Sequence, residues 1–279
     1  MANIYYVDGK YVPADQAVIP VDDLAIVRGI GVFDLLRTYN GKPYFLKEHV
    51  ARLYHSAQEI NLEMPWSQAE ICSVVLETLD RNDLDEANAR IIVTGGSSPD
   101  FMTPAGRPRL LVLVTPLPKL PEWWLTRGVK VITVQVKRNF PGAKSIDYLP
   151  AAVALRRAHA KDAIEAIYLD EQGHALEGTT SNVFMFMDDR LVTPGSHILS
   201  GITRKVVLSI ARDHYPIEVR AVRREELLAA QEVFITGTNK GLVPVVQIDE
   251  SIIGNGRPGP MTRNLMNLME ISTEGKTGK

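Results

Sequence analysis

The sequence predicts a mixed α/β protein built as two domains, on three observations. Strand-type alternation opens each half, amphipathic helical periodicity follows it, and a proline-rich break lies between them. The opening IYYVDGKYVPADQAVIPVDD alternates apolar and polar residues around Asp8-Gly9, the pattern of a β-hairpin followed by a second extended piece. GVFDLLRTYNGKPYFLKEHVARLYHSAQEINL then gives a strand, an Asn40-Gly41 turn, a short strand and a helix on which Val50, Leu53, Ala57 and Ile60 recur at helical spacing. SQAEICSVVLETLDRND reads as a second amphipathic helix, and ARIIVTGGS and PRLLVLVTPL as strands separated by the loop from Gly95 to Arg107. These elements place a small α/β domain at residues 1–117.

PLPKLPEWW breaks the pattern, so residues 116–121 are expected to be a linker and residues 122–279 a larger domain. GVKVITVQVKR opens it with strand alternation, and PAAVALRRAHAKDA continues as a helix. EAIYLDEQGHALEGTTSNVFMFMDDRLVTP reads as three antiparallel strands with turns at Glu171–His174 and Asp188–Arg190. ILSGITRKVVLSIARDHY is a turn entering an amphipathic helix, and EVFITGTNKGLVPVVQID pairs two strands across a polar turn. After Ile271 the chain has no apolar residue and is expected to fray.

At 279 residues, with 45% hydrophobic content, the chain is long enough to bury a substantial core. Lys and Arg total 31 against 33 Asp and Glu, so no basic field marks a nucleic-acid or anionic-membrane partner. Small molecules or a second copy of the chain are the expected partners. The single cysteine, Cys72, rules out an internal disulfide framework, and no Cys/His cluster has metal-ligand spacing. The N-terminal MANIYYVDGK lacks a signal-peptide pattern and no apolar run spans a bilayer, so a cytoplasmic protein is expected.

Several residues could carry chemistry. Lys144, in NFPGAKSIDYLP, lies between a Gly-containing turn and a Ser-x-x-Tyr segment. A lysine held at a pocket mouth becomes a nucleophile toward carbonyls when burial or positive charge lowers its pKa. In SGITR, Gly201 permits close backbone approach and Thr203 falls at a helix start, whose unpaired N–H groups suit an anion. TGTN, from Thr236 to Asn239, offers a hydroxyl and further backbone donors. Glu177, which follows a turn and precedes an apolar strand, would need a cationic or hydrogen-bonding partner if it faced inward. Arg52, on an apolar helix, is either a snorkelling surface residue or a phosphate ligand. Taken singly, each has an ordinary structural explanation. Together they are the parts that hold pyridoxal phosphate: an amine for its aldehyde, an acid for its ring nitrogen and donors for its phosphate. The nucleotide-loop, serine-hydrolase and zinc-protease motifs are absent.

In RGIGVFDLLR, EHVARL, AKSIDYL, LEGTTSNVF, LSGITR and GTNKGLVPV, taken in this order, the chain resembles the fold type IV (class IV) pyridoxal-phosphate-dependent aminotransferases nearly end to end. That resemblance implies a small N-terminal α/β domain, a larger β-rich pseudobarrel domain that binds the cofactor, and a homodimer. It implies that Lys144 is the Schiff-base lysine and moves the substrate proton, that Tyr148 hydrogen-bonds the cofactor's phenolic oxygen, and that Glu177 pairs with the ring nitrogen. Arg52, Ile202, Thr203 and Thr238 match phosphate-binding positions, and Leu199 one that packs on the ring. Phe33, Arg28 and the Thr238–Asn239 turn fall at substrate positions. The reaction implied is amino transfer from a branched-chain or other hydrophobic L-amino acid to a 2-oxo acid such as 2-oxoglutarate. A D-amino-acid aminotransferase, an aminodeoxychorismate lyase and a non-catalytic pyridoxal-phosphate-binding protein are the alternatives. Against the D-amino-acid enzyme stands the loop PDFMTP, where Asp100 and Met102 replace an expected basic pair; Arg28 in turn replaces an aromatic expected in a branched-chain enzyme.

Overall fold

The computed structural model describes residues 3–277. It divides into two compact units: one holds the chain up to Pro118 together with Gly142–Asp147, the other Lys119–Pro141 and the chain from Tyr148 onward.

In the first unit, β1 (Ile4–Val7) and β2 (Lys10–Pro13) form the expected hairpin around Asp8 and Gly9. Then come α1 (Leu24–Arg28), β3 (Gly31–Tyr39), β4 (Lys42–Pro43), α2 (Leu46–Glu59), α3 (Gln68–Asp80), β5 (Ala87–Thr94) and β6 (Arg109–Pro116). The six strands form one antiparallel sheet in the order β2-β1-β6-β5-β3-β4. Alternation aims Ala89, Ile91 and Val93 of β5 and Leu110, Val112 and Val114 of β6 at one face, where Val50, Leu53 and Ala57 of α2 and Ile71 and Val75 of α3 cover them. Ser67 caps α3 in a reciprocal capping box with Glu70.

The segment Gly142–Asp147, which the sequence boundary puts in the second domain, pairs instead with β3. Phe33 N–H donates to Lys144 O at 2.9 Å and Ile146 N–H to Gly31 O at 3.1 Å. The start of β3 thereby fills backbone hydrogen bonds that β4, which pairs only Thr38 and Tyr39, does not reach.

The second unit contains α4 (Trp123–Thr126), β7 (Val129–Gln135), α5 (Leu149–His159), β8 (Glu165–Leu169), β9 (His174–Gly178), β10 (Asn182–Met187), β11 (Arg190–Thr193), α6 (Ile202–Ala211), β12 (Ile217–Val219), β13 (Val222–Arg223), α7 (Arg224–Ala229), β14 (Glu232–Gly237), β15 (Gly241–Ile248), β16 (Ser251–Ile252) and α8 (Pro260–Thr277). Where three strands are expected between Glu165 and Thr193, there are four. Gly178 N–H donates to Ser181 O at 2.7 Å, folding GTTS into a reversal that splits the middle strand. The chain past Ile271, expected to fray, is helical to Thr277; Gly278 and Lys279 lie outside the described residues.

Strand pairing runs β10-β14-β15-β7-β8-β9, and the single pair Asn182↔Glu177 returns β9 to β10, closing a ring. Val131, Ile167, Ala175, Val183, Val233 and Val243, one from each ring strand, share one core. The alternate residues Phe184 and Phe186 of β10 and Phe234 of β14 face a second core with α6 and α8. Phe184 and Phe234 sit directly opposite across the strands with stacked rings 4.9 Å apart, worth about 1 kcal/mol beyond the area they bury. Both faces of the ring are thus apolar, and the polar groups collect at strand ends and turns.

Candidate active site

Lys144 is positioned through its backbone. Its carbonyl accepts from Phe33 on β3, and its N–H donates to Ser56 Oγ on α2 at 3.0 Å. Ser56 in turn donates to Arg52 O at 2.9 Å. The half-buried side chain places Nζ 4.6 Å from the centroid of the buried Phe33 ring. The Arg90 guanidinium stands 5.0 Å from the same ring. The Phe33 ring thus faces two cationic side chains.

One turn back on α2, Arg52 is buried, not snorkelling. Its Nε and Nη2 each donate to an Asp34 oxygen at 2.8 Å, and His49 Nδ1 lies 2.7 Å from Asp34 Oδ1. Asp34 is completely buried; burial works to raise its pKa, but the Arg52 and His49 charges and hydrogen bonds outweigh it and hold the carboxyl well below its usual range. Burial pushes the His49 imidazole down, with Asp34 opposing and Arg52 and Lys144 adding to the effect. Asp34 uses up one edge of the guanidinium and fixes the plane of the rest.

In the second unit, Glu177 is the penultimate residue of β9, between the turn that ends at Gly173 and the GTTS reversal. Its carboxylate is 4% exposed and well supplied with donors. Leu199 N–H and Asn182 Nδ2 donate to Oε2 at 3.0 and 3.2 Å, and Arg138 pairs with Oε1. Asn182 Nδ2 also donates to Leu199 O at 3.0 Å, so one amide orients both Leu199 and Glu177. Tyr148 is the residue immediately before α5. Nearby, burial pushes the Tyr168 hydroxyl up to about 12, with Arg138 opposing.

Helix α6 begins at Ile202 with Gly201 as its N-cap, a residue with no side chain to cap the helix's first N–H groups. Over a ten-residue helix this leaves donors and a dipole end suited to an anion. A Cβ on Gly201 would fall 2.0 Å from Asn182 Oδ1. Gly201→Ala is therefore expected to force Asn182 away and destabilise the protein by ~1–3 kcal/mol, measured by denaturant unfolding. The Thr238–Asn239 turn closes the β14–β15 hairpin, with Lys240 N–H donating to Gly237 O at 3.1 Å. Asn239 Oδ1, Thr179 Oγ1 and Thr236 Oγ1 are buried without a hydrogen-bond partner, polar atoms that a ligand would satisfy.

The remaining substrate candidates stand apart. Arg28 is exposed in the last turn of α1, where it donates to Val27 O. The Asp100 carboxylate accepts from Ser98 Oγ at 2.7 Å and from Met102 and Thr103 N–H at 2.9 Å. Bonds from Thr103, Ser98 and Met102 hold its carboxyl below the usual range. Its negative charge is thus committed to shaping its own loop. Sequence reasoning passed over Asp34, His49, Arg90, Arg138 and Asn182. The one local signal was Asp34, a charge within the apolar run GVFDLL.

The chemistry of these residues suits pyridoxal phosphate: the first unit offers a lysine with its backbone anchored, and the second offers a buried carboxylate, a helix start led by a glycine, and buried acceptors without a partner. The class of protein so defined is borne out by comparison. Residues 31–248 match the model of amino-transferase class IV, and the chain belongs to that family of pyridoxal-phosphate-dependent transaminases. It is 37% identical over 271 residues to a putative branched-chain-amino-acid aminotransferase of Methanocaldococcus jannaschii, covering 93% of each chain. It is 34% identical over 278 residues to a D-alanine aminotransferase of Bacillus licheniformis, covering 98% of each. Among solved structures it resembles the branched-chain aminotransferase of the thermophilic archaeon Thermoproteus uzoniensis with norvaline. There the TM-score is 0.91 and the identity 28%, over 99% of this chain and 96% of that one. No helix among the described residues is long and apolar enough to cross a membrane.

Proposed function

We propose that this aminotransferase takes the amino group of a branched-chain or other hydrophobic L-amino acid and passes it to a 2-oxo acid such as 2-oxoglutarate, acting as a cytoplasmic homodimer. The observation that carries the reading is Lys144, half-buried, pinned through its backbone to β3 and α2, with its amine over the Phe33 ring. Bound pyridoxal phosphate supplies an aldehyde that captures amines and a ring that accepts electrons.

The chain's residues do the rest. Lys144 Nζ would hold the cofactor covalently and would be the base that takes the proton from the substrate α-carbon and returns it. Glu177, which pairs with Arg138 and accepts from Asn182 and Leu199, would hold a proton at the ring nitrogen. Tyr148 hydrogen-bonds the phenolic oxygen, and Leu199 packs on the ring. The Ile202 and Thr203 backbone, the Thr238 hydroxyl and Arg52 bind the phosphate. Phe33 provides an apolar wall for the substrate side chain, the Thr238–Asn239 amides meet its carboxylate, and Arg90 gives the second carboxylate of an acidic acceptor a partner. Arg28, exposed at the end of α1, is a further candidate partner for a carboxylate.

The identity to a D-alanine aminotransferase along 98% of the chain supports a second reading, a D-amino-acid enzyme. Separate additions of L-leucine and D-alanine to the purified protein decide between them through the visible band of the bound cofactor. Bleaching by L-leucine alone is the expected result. Bleaching by D-alanine alone transfers the assignment to the D-amino-acid enzyme. A band that neither compound moves excludes both donors and directs attention to a lyase or a binding role.

A further inference from the structure

Glu165, on β8, is completely buried and lies beneath two turns. From the GTTS reversal, Thr180 Oγ1 and Ser181 Oγ donate to Oε2 at 2.9 and 3.1 Å, and Thr180 N–H points at Oε1 from 3.3 Å. From the other turn, seventy-five positions along the chain, Lys240 forms an ion pair with the same Oε2. Lys240 Nζ also donates to Thr180 Oγ1 at 2.6 Å. The two turns meet closely, since a Cβ on Gly237 would stand 3.1 Å from Thr180 O. A Cβ on Gly178 would stand 2.2 Å from Ser181 Oγ.

A lysine at a hairpin tip ordinarily extends into water, and immobilising its side chain costs rotamer freedom. A buried ion pair recovers little net stability compared with an apolar pair of the same size. What such a pair provides is register: each charge accepts only the arrangement in which the other is present. Here the charges join the turn bearing Thr238 and Asn239 to the reversal that follows Glu177.

We propose that Lys240 is a positioning residue: through buried Glu165 it locks the Gly237–Lys240 turn onto the Gly178–Ser181 turn and so sets where the Thr238 and Asn239 groups meet cofactor phosphate and substrate carboxylate. The inference rests on the function proposed above. Lys240 itself touches no reacting atom. Its effect falls on binding that is equal in the ground and transition states, which raises KM and leaves kcat.

The test is steady-state kinetics and cofactor titration of the full chain carrying Lys240→Met, Lys240→Arg or the pair Glu165→Gln/Lys240→Met. Lys240→Met is expected to raise the KM for the amino donor and the Kd for pyridoxal phosphate about tenfold, with kcat at saturation within about threefold of the parent. Lys240→Arg, which keeps the charge, recovers most of that loss. The double variant leaves no unpaired buried charge and shows the same rise in KM even if Lys240→Met alone does not fold. Unchanged KM and Kd in whichever of Lys240→Met and the double variant folds would overturn the proposal, as would a fall in kcat at constant KM. Failure of the underlying assignment reads differently: Lys144→Ala would then turn over normally whatever Lys240 does.

Discussion

Lys144→Ala is expected to lower amino transfer by on the order of a thousandfold or more, because the substitution removes both the covalent anchor and the proton carrier. The fold should survive. The hydrogen bonds that fasten this segment run through the Lys144 carbonyl and N–H to Phe33 and Ser56, and alanine keeps both. What is lost is the amine over the Phe33 ring, a cation–π contact worth roughly 0.5–1 kcal/mol at a partly exposed site. Single-turnover conversion of the cofactor by L-leucine, beside a thermal melt, separates the two effects. Lost conversion with a nearly unchanged melt is the expected pair, and normal conversion removes Lys144 from the chemistry.

The largest stability effect is expected at Asp34. Asp34→Ala strands a buried guanidinium that now has both Nε and Nη2 on that carboxylate, and also removes the partner of His49. Breaking a buried pair from one side costs about 3–5 kcal/mol, measurable by denaturant unfolding. The acid limb of stability comes from the same cluster. His49 is held below 6.5 by burial, so as pH falls through 6.5 the unfolded chain takes up a proton that the folded one refuses, and stability declines. Asp34 is held below 3.8, so its contribution is present above that value and is lost as pH drops toward its folded pKa. Melting temperatures should therefore hold from about pH 8 to 7 and fall toward acid below that. A flat profile would mean that the cluster does not titrate as its surroundings dictate.

Several members of the candidate site could be read before any fold was known. Lys144 stood out between a turn and a tyrosine, Gly201 and Thr203 marked a helix start, and Glu177 was an acid beside an apolar strand. Each of these signals is local, carried by residues within a few positions of one another. The partners of those groups were not legible. Asn182 looks like an ordinary strand residue until the closing pair with Glu177 sets its amide on both the carboxylate and Leu199. Arg138 lies 39 positions from Glu177, and Asp34 lies 18 from Arg52.

By itself the sequence determined the alternating strands, the amphipathic helices, their order along the chain and the family whose motifs it carries. Those properties follow from periods of two and 3.6 residues and from turn residues whose backbone preferences act in place. Only the tertiary structure decided that Gly142–Asp147 joins β3, that GTTS reverses the chain and divides a strand, and that a single rung closes the ring of six. It also decided which buried charges meet. The physical reason is that an unpaired strand edge or a buried carboxylate must be satisfied by whatever donor the packing brings to it, and that donor is chosen by strand register and helix placement over tens of residues.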